Sequence, residues 1–380
     1  MMHVAYLIPS LERMAGAENQ LLLLAAGLHR RGWKVSVIVQ AGSGGSARAW
    51  LREQGIEFIS LRMRHSLLDP LGWLRFMLWM RRNRPALLHA HLPHATWMAR
   101  WSRLFCRQSI VLETLHTAAL GPWKRRLAYR LSNRASSCTT AVSPAVAEAF
   151  RGNHLIPAEK LRIVPNGIDC QRWRPAPEAR SEARARMHLA PSDFLWAASG
   201  RLEAVKDFST LLHAFRLLPS TAHLVLLGAG PLCEQLHREV RESGLSERVT
   251  LPGFVEDPAK WLHAADAFVL SSLWEGLPMV LLEAAALALP MVSTRVAGAE
   301  EIVLEGETGF LVPVHESTAL SQAMLRMMAL SAEERNRMGP AARLHVESRF
   351  SIATVLDQWE ELYQRLKKQG TGNREQGMRE

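Results

Sequence analysis

At 380 residues, with 48% hydrophobic and 22% charged side chains, the chain has the composition of a soluble globular protein and the length for two domains with separate cores. No apolar run reaches membrane-spanning length and the N-terminus reads directly as a strand; Cys106, Cys138, Cys170 and Cys233 lie far apart without a C-x-x-C pair, so a reduced cytoplasmic protein without structural zinc is expected. The net charge of +10 is uneven: residues 1–168 carry 23 Lys/Arg against 8 Asp/Glu, a net +15, and residues 169–380 carry 23 against 28, a net −5.

A basic first half calls for an acidic partner, namely phosphorylated substrate, anionic lipid or nucleic acid. No zinc-finger or RNA-binding aromatic motif occurs, so no nucleic-acid partner is expected. Residues 4–8 and 35–39 read as strands on either side of an apolar-rich helix over 17–30, an opening βαβ unit. Between the first strand and the helix lies Met14-Ala15-Gly16-Ala17-Glu18, where Gly16 suits either a helix start or a close backbone approach to a ligand. Two further short strands end in or beside histidines: Leu87-Leu88-His89-Ala90-His91, and Val111 to Leu115 followed by His116. The carboxyl ends of such strands are the usual ligand position in open α/β sheets.

Two stretches interleave aromatics with arginines. One spans 62–84 and contains Trp73, Phe76, Trp79, Arg81 and Arg82; the other spans 97–105 and continues at Trp123-Lys124-Arg125-Arg126. Rings beside basic side chains suit an anionic membrane surface, and a helix packed on the sheet with solvated arginines opposite explains much of the same pattern. The expectation is a cytoplasmic protein with a peripheral seat on the inner face of the membrane.

Leu161-Arg162-Ile163-Val164 leads into Pro165-Asn166-Gly167-Ile168-Asp169, where Asn-Gly predicts a tight turn through positive φ. A charged, proline-containing linker with a short helix fills 172–190. Phe194 to Ala198 then begins a second set of strands and runs into Ser199-Gly200-Arg201-Leu202-Glu203-Ala204-Val205-Lys206-Asp207, ahead of a helix over 208–218. Arg201 offers a planar fork of donors and Lys206 a compact charge, a pair suited to two adjacent phosphates. The strand 224–227 with Gly228-Ala229-Gly230 lacks the third glycine of a dinucleotide fingerprint, Cys233 standing there, which argues against a nicotinamide or flavin enzyme. Val249 to Val255, including Phe254, supplies another strand and loop.

Ala267-Phe268-Val269-Leu270 is a buried strand, followed by Ser271-Ser272-Leu273-Trp274-Glu275-Gly276-Leu277-Pro278 and a helix expected over 278–289. Glu275 therefore lies in the strand-to-helix turn and Glu283 about two turns down the helix, whose start can receive a phosphate. Val296-Ala297-Gly298-Ala299-Glu300-Glu301 forms a later loop, 309–312 is the last strand, and a final helix spans 352–368 before a polar tail, 369–380, expected to be disordered. No D-x-D sequence occurs anywhere.

The run from Glu275 to Glu283 resembles the E-x7-E signature of retaining glycosyltransferases of the family 4 type. Met14 to Glu18, Pro165 to Asp169, Gly200 to Asp207 and Val296 to Glu301 resemble further motifs of that family over most of the chain, with Ala15, Ala297 and Glu300 departing from the usual glycines and proline. The resemblance implies the GT-B architecture: an α/β protein with two Rossmann-like domains facing each other across a cleft. Residues 1–168 would form the acceptor-side domain and 169–351 the donor domain, with the helix 352–368 returning to the first domain. It implies sugar transfer from a nucleotide-diphosphate donor, a UDP- or GDP-sugar, to a glycan or lipid-linked hydroxyl in cell-surface polysaccharide synthesis. Retention at the anomeric carbon is expected, without metal or other cofactor, and with the leaving phosphate oxygen taking the acceptor proton. Arg201, Lys206, Glu275 and His116 would be catalytic, and His91 would lie on the acceptor side. Gly16, Asn166, Gly200, Gly230, Phe254, Gly276, Leu277, Pro278 and Glu283 would bind the donor. A non-catalytic nucleotide-sugar-binding scaffold and a GT-B epimerase or inverting transferase remain as alternatives.

Overall fold

The computed structural model describes residues 1–12, 16–64, 69–106 and 109–376, with side chains described as far as Gln369. The chain divides into two compact units, one of Met1–Gly167 together with the chain from Ile352 onward, the other of Ile168–Ser351. Met14 and Ala15, quoted above for the first loop, lie outside the described residues.

Both units follow one plan. In the first, seven parallel strands, β1 (His3–Ile8), β2 (Lys34–Val39), β3 (Glu57–Ser60), β4 (Leu87–His91), β5 (Ile110–Leu115), β6 (Cys138–Ala141) and β7 (Leu161–Ile163), lie in the order β3-β2-β1-β4-β5-β6-β7. In the second, β8 (Phe194–Ser199), β9 (Ala222–Leu227), β10 (Val249–Gly253), β11 (Ala267–Leu270), β12 (Met291–Thr294) and β13 (Gly309–Val312) lie parallel in the order β10-β9-β8-β11-β12-β13. Strands covered on both faces read as near-continuous apolar runs, as β1 and β11 do, every residue of each being buried. The strand order reverses between β1 and β4 in one sheet and between β8 and β11 in the other, which puts the crevice for a ligand at those carboxyl ends.

The terminal helix Ile352–Gln376 belongs to the first unit, as expected, and runs on past Lys368 into the stretch expected to be disordered. Its Val355, Leu356, Trp359, Leu362, Tyr363 and Leu366 follow a helical period and join Leu21, Leu24, Ala25 and Leu28 of the helix Gly16–Arg30 in one buried core. A Cβ on Gly27 would lie 2.4 Å from Leu356 Cδ1, so any larger residue there would force the Leu356 side chain to move. Arg31 pairs with Asp357 and Glu360, and Trp33 Nε1 donates to Glu360 Oε1 at 2.6 Å.

Three expectations are corrected. Neither Asn166 nor Gly167 adopts positive φ. Gly167 is there for space: its Cβ would meet Ile352 Cδ1 at 2.9 Å, and its peptide exchanges hydrogen bonds with the Gln20 amide. The helix after the signature runs only over Met279–Ala286, with Pro278 as its N-cap and Ala288 at positive φ ending it. On the helix Pro70–Asn83, Phe76 is fully buried and Trp73 and Trp79 pack partly buried against the sheet, so the rings face inward; Leu71, Leu74 and Leu78 stand outside with Arg81 and Arg82. No described helix is long and apolar enough to cross a membrane.

Candidate active site

In the second unit the loops after β8 and β11 flank the point where strand order reverses, and they are tied together. Leu273 N donates to Val205 O at 2.8 Å, and Ser271 Oγ donates to Lys206 O at 2.8 Å. Lys206 Nζ meets Glu275 Oε1 at 2.6 Å, and Ser272 Oγ donates to the same oxygen at 2.7 Å. Both ends of the ion pair are mostly shielded, with 17% and 15% of the side chains exposed, so the pair is held in geometry rather than screened away. Arg201, in the same loop as Lys206, is more than half exposed and pairs with Glu203 at 2.9 Å.

Glycines let neighbouring loops approach. Gly228 sits at φ +145°, and a Cβ there would fall 1.9 Å from Gly200 O. A Cβ on Gly230 would likewise fall 2.4 Å from Leu202 O. Gly298 at φ +77° lies against the backbone of Gly276 and Leu277, where a Cβ would come within 2.6 Å. Four loops, after β8, β9, β11 and β12, are thus compacted into one rim of backbone at the carboxyl edge of the sheet. Leu277 and Pro278 are buried in that rim at the start of the helix, where Pro278 as N-cap offers no side-chain hydrogen bond of its own. Glu283 lies within that helix between buried Leu282 and Ala284; burial pushes its carboxyl up to about 7, and Arg172 opposes the shift. Phe254 follows β10 with a 75% exposed ring.

In the first unit, His91 ends β4 and His116 follows β5. His91 Nδ1 and His116 Nε2 are 3.0 Å apart, with the rings stacked at 5.2 Å. His91 is 1% exposed, and burial lowers the pKa of both rings, that of His116 to about 4, so both are neutral at physiological pH. Gly16 is exposed at the first turn of its helix, and Asn166 is buried just before the boundary between the units.

Comparison with known proteins identifies this arrangement. The family described as "Glycosyltransferase Family 4" matches residues 14–172, and "Glycosyl transferases group 1" matches residues 180–345. The chain belongs to the family 4 glycosyltransferases. It is an enzyme of sugar transfer from a nucleotide sugar, in a retaining family. The lipopolysaccharide core biosynthesis glycosyltransferase LpsE of Rhizobium meliloti (strain 1021) is 28% identical over 354 residues, covering 91% of this chain and 95% of the relative. The UDP-Gal:alpha-D-GlcNAc-diphosphoundecaprenol alpha-1,3-galactosyltransferase of Escherichia coli is 25% identical over 298 residues, covering 75% of this chain and 76% of the relative. In fold, the chain matches Anabaena Alr3699/HepE, solved with UDP and glucose, at a TM-score of 0.84 and 23% identity, over 96% of this chain and all of the other. The expected GT-B class is therefore the observed one.

Within this family 4 glycosyltransferase, the second unit brings Lys206 and Glu275 into contact and puts Arg201, Gly200, Gly230, Gly276, Leu277 and Pro278 on the same strand ends. His91, His116, Gly16 and Asn166 belong to the first unit. Sequence reasoning passed over Ser271 and Ser272, which anchor Lys206 and Glu275, and Arg172, whose charge acts on Glu283. A pair of hydroxyls at the end of a buried strand, directly ahead of the signature, was the available signal for the first two.

Proposed function

We propose that this enzyme moves a sugar from a UDP-sugar to a hydroxyl of a glycan or lipid-linked acceptor in cell-surface polysaccharide synthesis, without a metal ion. The observation that carries the reading is the Lys206–Glu275 contact at the strand-order reversal, with Arg201 in the adjoining turn. The donor diphosphate draws Lys206 and Arg201 to its oxygens, where their charge stabilises the leaving group as the bond to the anomeric carbon breaks. Glu275, released from Lys206, then accepts hydrogen bonds from sugar hydroxyls, and Glu283 accepts from the ribose. The acceptor oxygen bonds to the anomeric carbon on the face the phosphate leaves, and its proton passes to the departing phosphate oxygen. His116, neutral, contacts the donor sugar from the first unit.

The choice of UDP draws on two relatives, the Anabaena protein solved with UDP-glucose and the Escherichia coli enzyme named for UDP-Gal. The acceptor class draws on the lipopolysaccharide-core and diphosphoundecaprenol enzymes among the relatives. A peripheral membrane seat fits such an acceptor, through Leu71, Leu74 and Leu78 beside Arg81 and Arg82 rather than through the inward rings.

Thermal melting with UDP, GDP and ADP, with and without chelator, tests the donor side. UDP should raise the melting temperature irrespective of chelator, whereas a shift that chelator abolishes would overturn the metal-free reading. In transfer assays Lys206→Ala should lower kcat by about 100-fold while changing the donor KM little. A change in KM alone would reduce Lys206 to a tether.

A further inference from the structure

The two nitrogens of His91 are treated differently by their surroundings. The ring is wedged among His89 at 4.3 Å, Tyr6 at 5.7 Å and His116 at 5.2 Å between ring centroids. Nδ1 faces His116 Nε2 at 3.0 Å, while Nε2 is buried with no hydrogen-bond partner among the described residues. Its neighbour His89 is fully satisfied, with Nδ1 on Tyr363 Oη at 2.7 Å and Nε2 on Thr114 Oγ1 at 2.7 Å. Thr114 in turn reaches Thr140 at 2.8 Å. The satisfied network anchors the wall behind His91 to the terminal helix and two strands.

With both imidazoles neutral, the His91–His116 hydrogen bond has two protonation patterns. If His116 donates from Nε2, the proton of His91 must sit on its own Nε2, an N–H buried without an acceptor. If His91 donates from Nδ1, its Nε2 is a bare lone pair, which costs less to bury than an orphaned N–H. His116 then carries its proton on Nδ1, for which no described residue serves as acceptor.

We infer that His91 is a positioning residue whose Nδ1–H fixes the tautomer of His116, so that His116 meets its ligand as a hydrogen-bond donor through Nδ1. The ligand atom it selects is an acceptor oxygen, a sugar hydroxyl or phosphate, and a ligand offering only a donor there is refused. The functional half of this inference rests on the reading of His116 as a donor-sugar contact; the tautomer itself does not.

Two measurements on the full-length enzyme test the two halves separately. Long-range proton–nitrogen correlation spectra of the protein labelled with nitrogen-15 histidine, assigned with the His91→Asn and His116→Asn variants, read the tautomers directly. Protonated Nδ1 and bare Nε2 are expected on both rings; a proton on His116 Nε2 overturns the tautomer assignment without touching the proposed chemistry. In steady-state transfer assays, His91→Leu, which fills the apolar site but donates nothing, should lower kcat about tenfold at little-changed donor KM. His91→Asn, whose side-chain amide N–H can take the place of Nδ1–H, should recover to within about threefold of the parent enzyme. Equal losses in both variants with unchanged melting temperatures, or no loss in either, overturn the positioning role. A wild-type rate in His116→Asn with the expected spectrum overturns the role of His116 while the tautomer assignment stands.

Discussion

Glu283 is a carboxyl group that the fold keeps half-protonated near neutral pH. Burial raises it from the ordinary 4.5 to about 7, against the opposing charge of Arg172. Between those values the folded chain holds a proton that the unfolded chain has released. The contribution of this group to stability is therefore complete below pH 4.5 and is lost as the pH rises through about 7. Glu283→Gln, which never ionises, should melt about 3 °C above the parent at pH 8 and coincide with it at pH 4. Coincident melts at both would mean that water reaches the carboxylate in the folded state. On the proposed contact of Glu283 with the donor ribose, the same substitution should weaken UDP binding by about tenfold in calorimetry, since an amide accepts less strongly than a carboxylate.

Among the elements, the loops after β8 and β9 and the terminal helix carry the most specific packing. Gly228→Ala would force a methyl to within 1.9 Å of Gly200 O at a φ of +145°, so both space and backbone oppose it. The loop bearing Arg201 and Lys206 should be displaced, and the expected result is loss of the UDP-induced thermal shift with far-ultraviolet circular dichroism retained. The terminal helix contributes Trp359 and Tyr363, 1% and 0% exposed, to the core of the first unit. Trp359→Ala should cost about 3–5 kcal/mol in denaturant unfolding, the range for an emptied aromatic site. A cost near that of a surface substitution would mean the helix adds little to that core.

For the molecule as a whole, charge is distributed by unit: the basic excess lies in residues 1–168 and a small acidic excess in the rest. The outer face of the helix Pro70–Asn83 presents Leu71, Leu74 and Leu78, each more than half exposed, with exposed Arg75, Arg81 and Arg82 around them. Vesicles rich in anionic lipid should pellet the protein at low salt and release it as ionic strength rises. Replacing the three leucines by serine should abolish pelleting while leaving transfer to a soluble acceptor intact. Pelleting that survives the triple replacement would locate the membrane contact elsewhere, and none at low salt would remove it altogether.

Much of this protein is settled by local sequence. Continuous apolar runs alternating with helical periods specify parallel sheets, because a strand buried on both faces needs no polar side and its crossover helix supplies the cover. The spacing of Glu275 and Glu283 and the cations of the Gly200 to Asp207 loop follow from neighbouring residues, whereas the return of the terminal helix was implied by the family resemblance and is made by packing against residues more than 300 positions away. Tertiary structure decided the rest. Lys206 and Glu275 are 69 positions apart and meet because β8 and β11 are adjacent in the sheet, an order no short stretch encodes. His91 and His116 meet across the β4–β5 pair for the same reason. Gly167 reads as a turn residue until Ile352 is brought against it, and Phe76 reads as a surface ring until the helix chooses which of two apolar faces to bury. Where a helix is apolar nearly all round, its periodicity leaves the buried face open, and only the packing of the sheet beneath it fixes the choice.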